Sequence, residues 1–109
     1  MAQSLVTIKK RSEFVFVRDN CKFIKSYSFN LQILEDTRLN NTIAVGYTAT
    51  KRLGNAVVRN KSKRIMRELA KKVLIKFGKN NFYYVLIAKS SLLKKPFMEL
   101  KLELKKIII

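Results

Sequence analysis

Residues 51–68, KRLGNAVVRNKSKRIMRE, carry the side chains whose types and spacing suggest chemistry. Lys51 and Arg52 precede a Gly54-Asn55 hinge, and Arg59, Asn60, Lys61, Lys63, Arg64 and Arg67 follow it. Between Lys51 and Lys76 stand ten basic residues and one acid, Glu68, giving +9 within a chain of +17. Such groups recognise a polyanion, because guanidinium and ammonium donate charge-assisted hydrogen bonds to phosphate. At about 100° per residue, Arg59, Asn60, Lys63, Arg64, Arg67 and Lys71 fall within roughly 140° of one another. Val58, Ile65, Met66, Leu69 and Val73 occupy the opposite side. The spacing therefore predicts a helix with one apolar face and one cationic strip. Its first turn holds no acid, although the macrodipole favours one there. Only one acid, Glu68, stands four residues from a strip cation, Arg64, so the strip is not offset by i+4 acids. A basic run is commonly just a solvated helix back. Here the charges are almost all of one sign, which argues instead for an extended polyanionic ligand. The pattern breaks at Leu74-Ile75-Lys76, so the helix is expected to end or bend near Val73.

Catalysis by the chain's own side chains has little to work with. Histidine is absent, so the usual acid–base group of neutral pH is missing. Seven carboxylates remain, and only Glu35-Asp36 and Glu99/Glu103 stand close in sequence. A two-metal nuclease needs several converging acids. Cys21 is alone, which rules out an internal disulfide and a cysteine metal quartet. Gly54…Lys61-Ser62 is not a nucleotide-binding P-loop: Arg59 stands where the second glycine belongs, and the lysine comes one residue late.

The elements that must position the strip follow from periodicity. A length of 109 residues with 48% hydrophobic content fits one domain, 1–109, with residues 1–9 expected to form a flexible lead. Residues 11–18 read as a first helix, with Ser12 as a possible cap and Glu13 in the first turn. Residues 19–25 read as a polar connection. Residues 27–34 alternate: Tyr27, Phe29, Leu31 and Ile33 on one face, Ser28, Asn30 and Gln32 on the other. Residues 35–41 are turn-rich, and residues 42–50 read as a second strand. Asn55 is the expected cap of the basic helix, and Gly78 its stop. Residues 82–88 are almost wholly apolar, as in a buried central strand. Residues 94–106 form a last helix with Pro96 in its first turn. No run of 18 apolar residues exists to cross a membrane, and no secretory leader is recognisable.

The string Lys51-Arg52-Leu53-Gly54-Asn55-Ala56-Val57-Val58-Arg59-Asn60-Lys61-Ser62-Lys63-Arg64 resembles the central motif of the bacterial ribonuclease P protein subunits. That family has Gly-Asn-Ala-Val, then Arg-Asn-Arg, then Lys-Arg; Lys61 departs at the third place of Arg-Asn-Arg. Lysine keeps the charge but loses the planar fork. Weaker similarity runs from Lys9 to the end.

The resemblance implies a small α+β domain. It has a mixed sheet of about four strands and three helices, in the order α-β-β-β-α-β-α, with a left-handed crossover through the basic helix. General topology would favour a right-handed one. It implies a cytoplasmic monomer in a 1:1 complex with a catalytic RNA that carries the Mg²⁺ chemistry, cutting precursor tRNA at its mature 5′ end. Lys51, Arg52, Asn55, Arg59, Asn60, Lys61, Lys63, Arg64 and Arg67 would then meet the catalytic RNA. The single-stranded 5′ leader would meet Phe14, Arg18, Ser28, Asn30, Gln32 and Lys89. Phe14 matches a family aromatic, whereas Arg18 stands where a second aromatic is common. A ribosomal or other structural RNA-binding protein is the chief alternative reading, and a DNA-architectural protein the second.

Overall fold

The computed structural model describes residues 4–109. Five strands and three main helices form it: β1 (Leu5–Thr7), α1 (Arg11–Asn20), β2 (Lys22–Ile24), β3 (Phe29–Glu35), β4 (Ile43–Thr48), α2 (Ala56–Leu69), β5 (Phe82–Ala88) and α3 (Phe97–Ile108). The strands make one mixed sheet in the order β1-β4-β5-β3-β2. β1 and β5 run parallel to β4, while β3 runs antiparallel to both β5 and β2. α2 is thus the crossover between two parallel neighbours, β4 and β5.

The alternation of each strand divides the side chains between two faces. On one face Phe29, Leu31, Val45, Tyr84 and Leu86 pack with Met66 and Leu69 of α2 and with Leu100 and Leu104 of α3. Met66, Leu69 and Leu104 have no exposed surface. Burial of each such side chain contributes about 1.5–3 kcal/mol, which fixes α2 to the sheet and turns its polar side outward. On the other face Ile8, Ala44, Tyr83 and Val85 pack with Val17 of α1. One short helix cannot cover that face, and part of it stays open.

Local chemistry sets the ends of α2. Gly54 has φ +149°, a conformation that residues with a Cβ rarely adopt, so the chain can turn sharply from the 3-10 turn Lys51–Leu53 into the helix. Asn55 then caps it, its Oδ1 accepting the Val58 N–H at 3.0 Å. Beyond Leu69 the helix continues through a π-helical turn at Ala70–Leu74 and a closing turn at Ile75–Phe77. The wider turn adds a residue to the winding and shifts the phase of the apolar positions. That is why the periodicity falters at Leu74. Gly78 ends the run in extended backbone rather than the left-handed form.

Three expectations need correcting. The sheet has five strands, not about four, because β1 and β2 join its edges. Leu5–Thr7 pairs with β4 and Ile8 is buried, so this part of the 1–9 lead belongs to the fold; residues 1–3 lie outside the described residues. Ser12 does not cap α1: Lys10 occupies the cap position and no side chain bonds there.

Candidate RNA interface

The outer side of α2 belongs to neither apolar cluster. Asn60, Lys61, Arg64 and Arg67 are exposed, and Arg59 and Lys63 are half-buried. Lys51, Arg52 and Asn55 lie exposed just ahead of them. Four ion pairs form among the described residues, and none includes Lys51, Arg52, Arg59, Lys61, Lys63, Arg64 or Arg67. The helix's one carboxylate, Glu68, sits 3.9 Å from Lys71 instead. Arg59 leaves its Nε–H without an internal acceptor. Seven cations on α2 and the turn before it thus form no ion pair, on a helix packed against the sheet from behind.

Beside α1 the open sheet face forms a trough. A depression of about 400 Å³ is lined by Arg11, Phe14, Arg18, Gln32, Thr48, Thr50, Val85 and Ile87. A second, of about 410 Å³, shares Arg11, Phe14 and Thr48 with it and reaches Tyr47 and Lys63. A third, of about 340 Å³, meets the first at Thr50 and includes Arg52 and Lys89. Shared walls make these one continuous surface, joined at Lys63 and Arg52 to the cationic strip. Phe14 lines two of the three depressions. A Cβ on Gly46 would lie 2.6 Å from Phe14 Cε1, so the ring occupies the space that glycine leaves. Burial pushes the Tyr47 phenol up to about 12, with the nearby Arg67 guanidinium pulling the other way. Tyr47 therefore stays a neutral O–H donor where strip and trough meet.

The expected leader contacts divide. Phe14, Arg18 and Gln32 line the trough. Arg18 also holds Asp19 at 3.2 Å in an exposed pair, which contributes little. Asn30 shares the face but accepts the Ser26 N–H at 3.4 Å and lies outside the lining. Lys89 lines the third depression while donating to the Ser26 carbonyl at 2.6 Å, which leaves two further N–H donors. Ser28 is corrected: it is wholly buried and cannot reach a ligand. Its main-chain N–H donates to Glu103 Oε2 at 2.8 Å, so α3 closes over that end of β3. Arg11, Thr48 and Thr50 were not singled out from the sequence. Arg11, Phe14 and Arg18 recur at i, i+3 and i+7, a helical spacing that carried the signal for Arg11.

No group of three or more His, Cys, Asp or Glu among the described residues is placed to hold a metal ion. The acids are spread out or engaged: Asp36 binds Arg38 at 2.9 Å, and Glu103 accepts from Ser26, Ser28 and Lys95. These donors do not fit a protein-held Mg²⁺.

A model of the family described as ribonuclease P matches residues 3–109. The ribonuclease P protein component of Caulobacter vibrioides is 35% identical over 82 residues, covering 75% of this chain and 54% of that protein. That of Ruegeria pomeroyi is 49% identical over 49 residues, covering 45% of this chain and 39% of that protein. These matches thus span about half or less of those relatives. The solved RNase P protein of Staphylococcus aureus superposes with a TM-score of 0.77 at 24% identity, covering 93% of this chain and 90% of that one. At that identity the likeness speaks for the fold.

Proposed function

Since the chain belongs to the ribonuclease P protein family, we propose that it acts as the protein subunit of a tRNA-processing ribonucleoprotein in the cytoplasm. The cationic strip of α2 grips the folded catalytic RNA, and the trough receives the single-stranded 5′ leader of precursor tRNA. The RNA holds the Mg²⁺ and performs the cleavage. The protein's part is positional and electrostatic. Guanidinium and ammonium groups neutralise the repulsion between two polyanions, and Phe14 with its surround fixes the path of the leader. The observation that carries this reading is the junction, at Lys63 and Arg52, of a run of seven cations without ion pairs and a trough lined by Phe14. The two ligands it suits are different: a folded phosphate lattice for the strip, and splayed bases for the trough.

With about six to ten phosphate contacts, affinity falls by about 10³–10⁵ between 50 and 200 mM salt. The test is binding of the catalytic RNA as a function of salt, together with precursor-tRNA cleavage at limiting Mg²⁺. Arg64→Ala is expected to weaken binding of the catalytic RNA and to lower the salt slope by about 0.7–0.9. An unchanged slope and affinity would remove Arg64 from the interface. Failure of the wild-type protein to stimulate cleavage, with RNA binding intact, would favour a structural RNA-binding role instead.

A further inference from the structure

We propose that Phe23, on edge strand β2, is a second nucleobase-stacking site, one strand beyond the Gln32 wall of the trough. This rests on the reading that single-stranded RNA lies there. Phe23 is 48% exposed and belongs to neither apolar cluster, although its neighbour Ile24 packs into one. An aromatic ring left that open contributes little to the core, so packing does not account for its place.

The sheet register gives the ring a position. Phe23 pairs with Gln32, Gln32 with Val85, and Val85 with Gly46. Directly paired residues point to the same face of a sheet. The four form one row across the open face, with the Phe14 ring seated over Gly46 at one end and Phe23 standing free at the other. Strands lie about 4.8 Å apart, so three spacings put roughly 14 Å between the two ends. That matches about four stacked nucleotide rises of roughly 3.4 Å, or fewer in an extended strand. Between the rings lie Gln32, 8% exposed, whose amide offers both donor and acceptor groups, and Val85, which packs beneath α1 and is 1% exposed.

Charge supports a base carried on a phosphate backbone. Lys22 and Lys25 flank Phe23 and are exposed, and Arg18 lines the floor beside Gln32. A second copy of this chain pairing on the β2 edge is disfavoured, because the strand has three residues and each copy carries +17.

The test uses single-stranded RNA oligonucleotides with the fluorescent base aminopurine at successive positions, bound to the full chain. Stacking on an aromatic ring quenches the probe. Two quenched positions are expected, about two to four nucleotides apart. Phe14→Ala relieves one and Phe23→Ala the other. Phe23→Ala lowers affinity about fivefold to tenfold, the low end for base–aromatic stacking, and leaves the salt slope unchanged. Phe23→Tyr restores both quenching and affinity. Thermal melts of each variant report folding. Relief of quenching by Phe14→Ala but no effect of Phe23→Ala would overturn the second site and leave the trough standing. No effect of either variant on a folded protein would overturn both.

Discussion

Gly46→Ala tests the trough without replacing any side chain proposed to meet RNA. The added Cβ would lie 2.6 Å from Phe14 Cε1 and 3.1 Å from Cζ, with Ile8 Cδ1 behind at 3.4 Å. Carbon atoms rest about 3.5–4.0 Å apart, so the ring must retreat by about 1 Å. Overpacking of this kind costs about 1–3 kcal/mol. Replacing a strand glycine by alanine returns about 0.5–1 kcal/mol, because glycine loses more backbone freedom on folding. The net destabilisation is about 1 kcal/mol, small enough for a folded variant. A ring displaced by that distance loses much of a stacking contact worth about 1–3 kcal/mol. Leader affinity should therefore fall roughly fivefold or more, measured by fluorescence anisotropy with a 5′-leader oligonucleotide and accompanied by a thermal melt. The decisive measurement is the double variant. Once Phe14→Ala has removed the ring, Gly46→Ala has nothing to displace. Gly46→Ala in that background should cost no further affinity and should not lower stability. Additive losses would refute the reasoning, as would a Gly46→Ala single variant that binds leader normally.

Two further predictions concern the scaffold. Asn55→Ala removes the cap of α2 and should cost about 1 kcal/mol in urea unfolding, with Asn55→Ser restoring most of it. If Asn55→Ser restores stability but not RNA affinity, Asn55 touches RNA as well as capping the helix. Burial acts to raise the Glu103 carboxyl, but hydrogen bonds from the Ser26 hydroxyl, the Ser28 amide and the Lys95 ammonium outweigh it and hold the group below its ordinary value of 4.5. A carboxyl lowered by folding stabilises the protein fully above that value and loses the contribution as pH falls through the folded value. Urea midpoints should therefore drop from about pH 5 to about pH 3 less steeply in Glu103→Gln than in the wild type; parallel profiles would show that Glu103 is not the responsible group.

The long elements were legible because each repeats its pattern several times. α2 shows its apolar face over four turns, β3 alternates, and β5 is continuously apolar with turn residues on both sides. Even the disturbance at Leu74 was visible, although only the backbone identifies a π-helical turn. β1 and β2 were not legible, since three residues contain too little pattern to distinguish a strand from a loop. Ser28 was misjudged for a different reason. Alternation over residues 27–34 assigns it to the polar set, but Ser28 lies just ahead of β3, where Glu103, 75 residues away, binds its amide and closes that end. For the site, the cations of α2 could be read directly, because helical phase places them. The walls of the trough come from α1, β3, β4 and β5, and only the fold brings them together. Phe14 carried a signal through family likeness, whereas its seat over Gly46 had none.

β5 lies between β4 and β3, yet it is the last strand in the chain. The cationic helix precedes residues 82–88 in the chain, so it is synthesised before them. Until they arrive, the β1–β4 and β3–β2 pairs have no common neighbour, and the trough has no floor. The emerging polypeptide is then a loose polycation, attracted to any nucleic acid nearby and shaped for none. Under the proposed function, discrimination between RNAs is thus acquired only when one apolar segment joins the two halves.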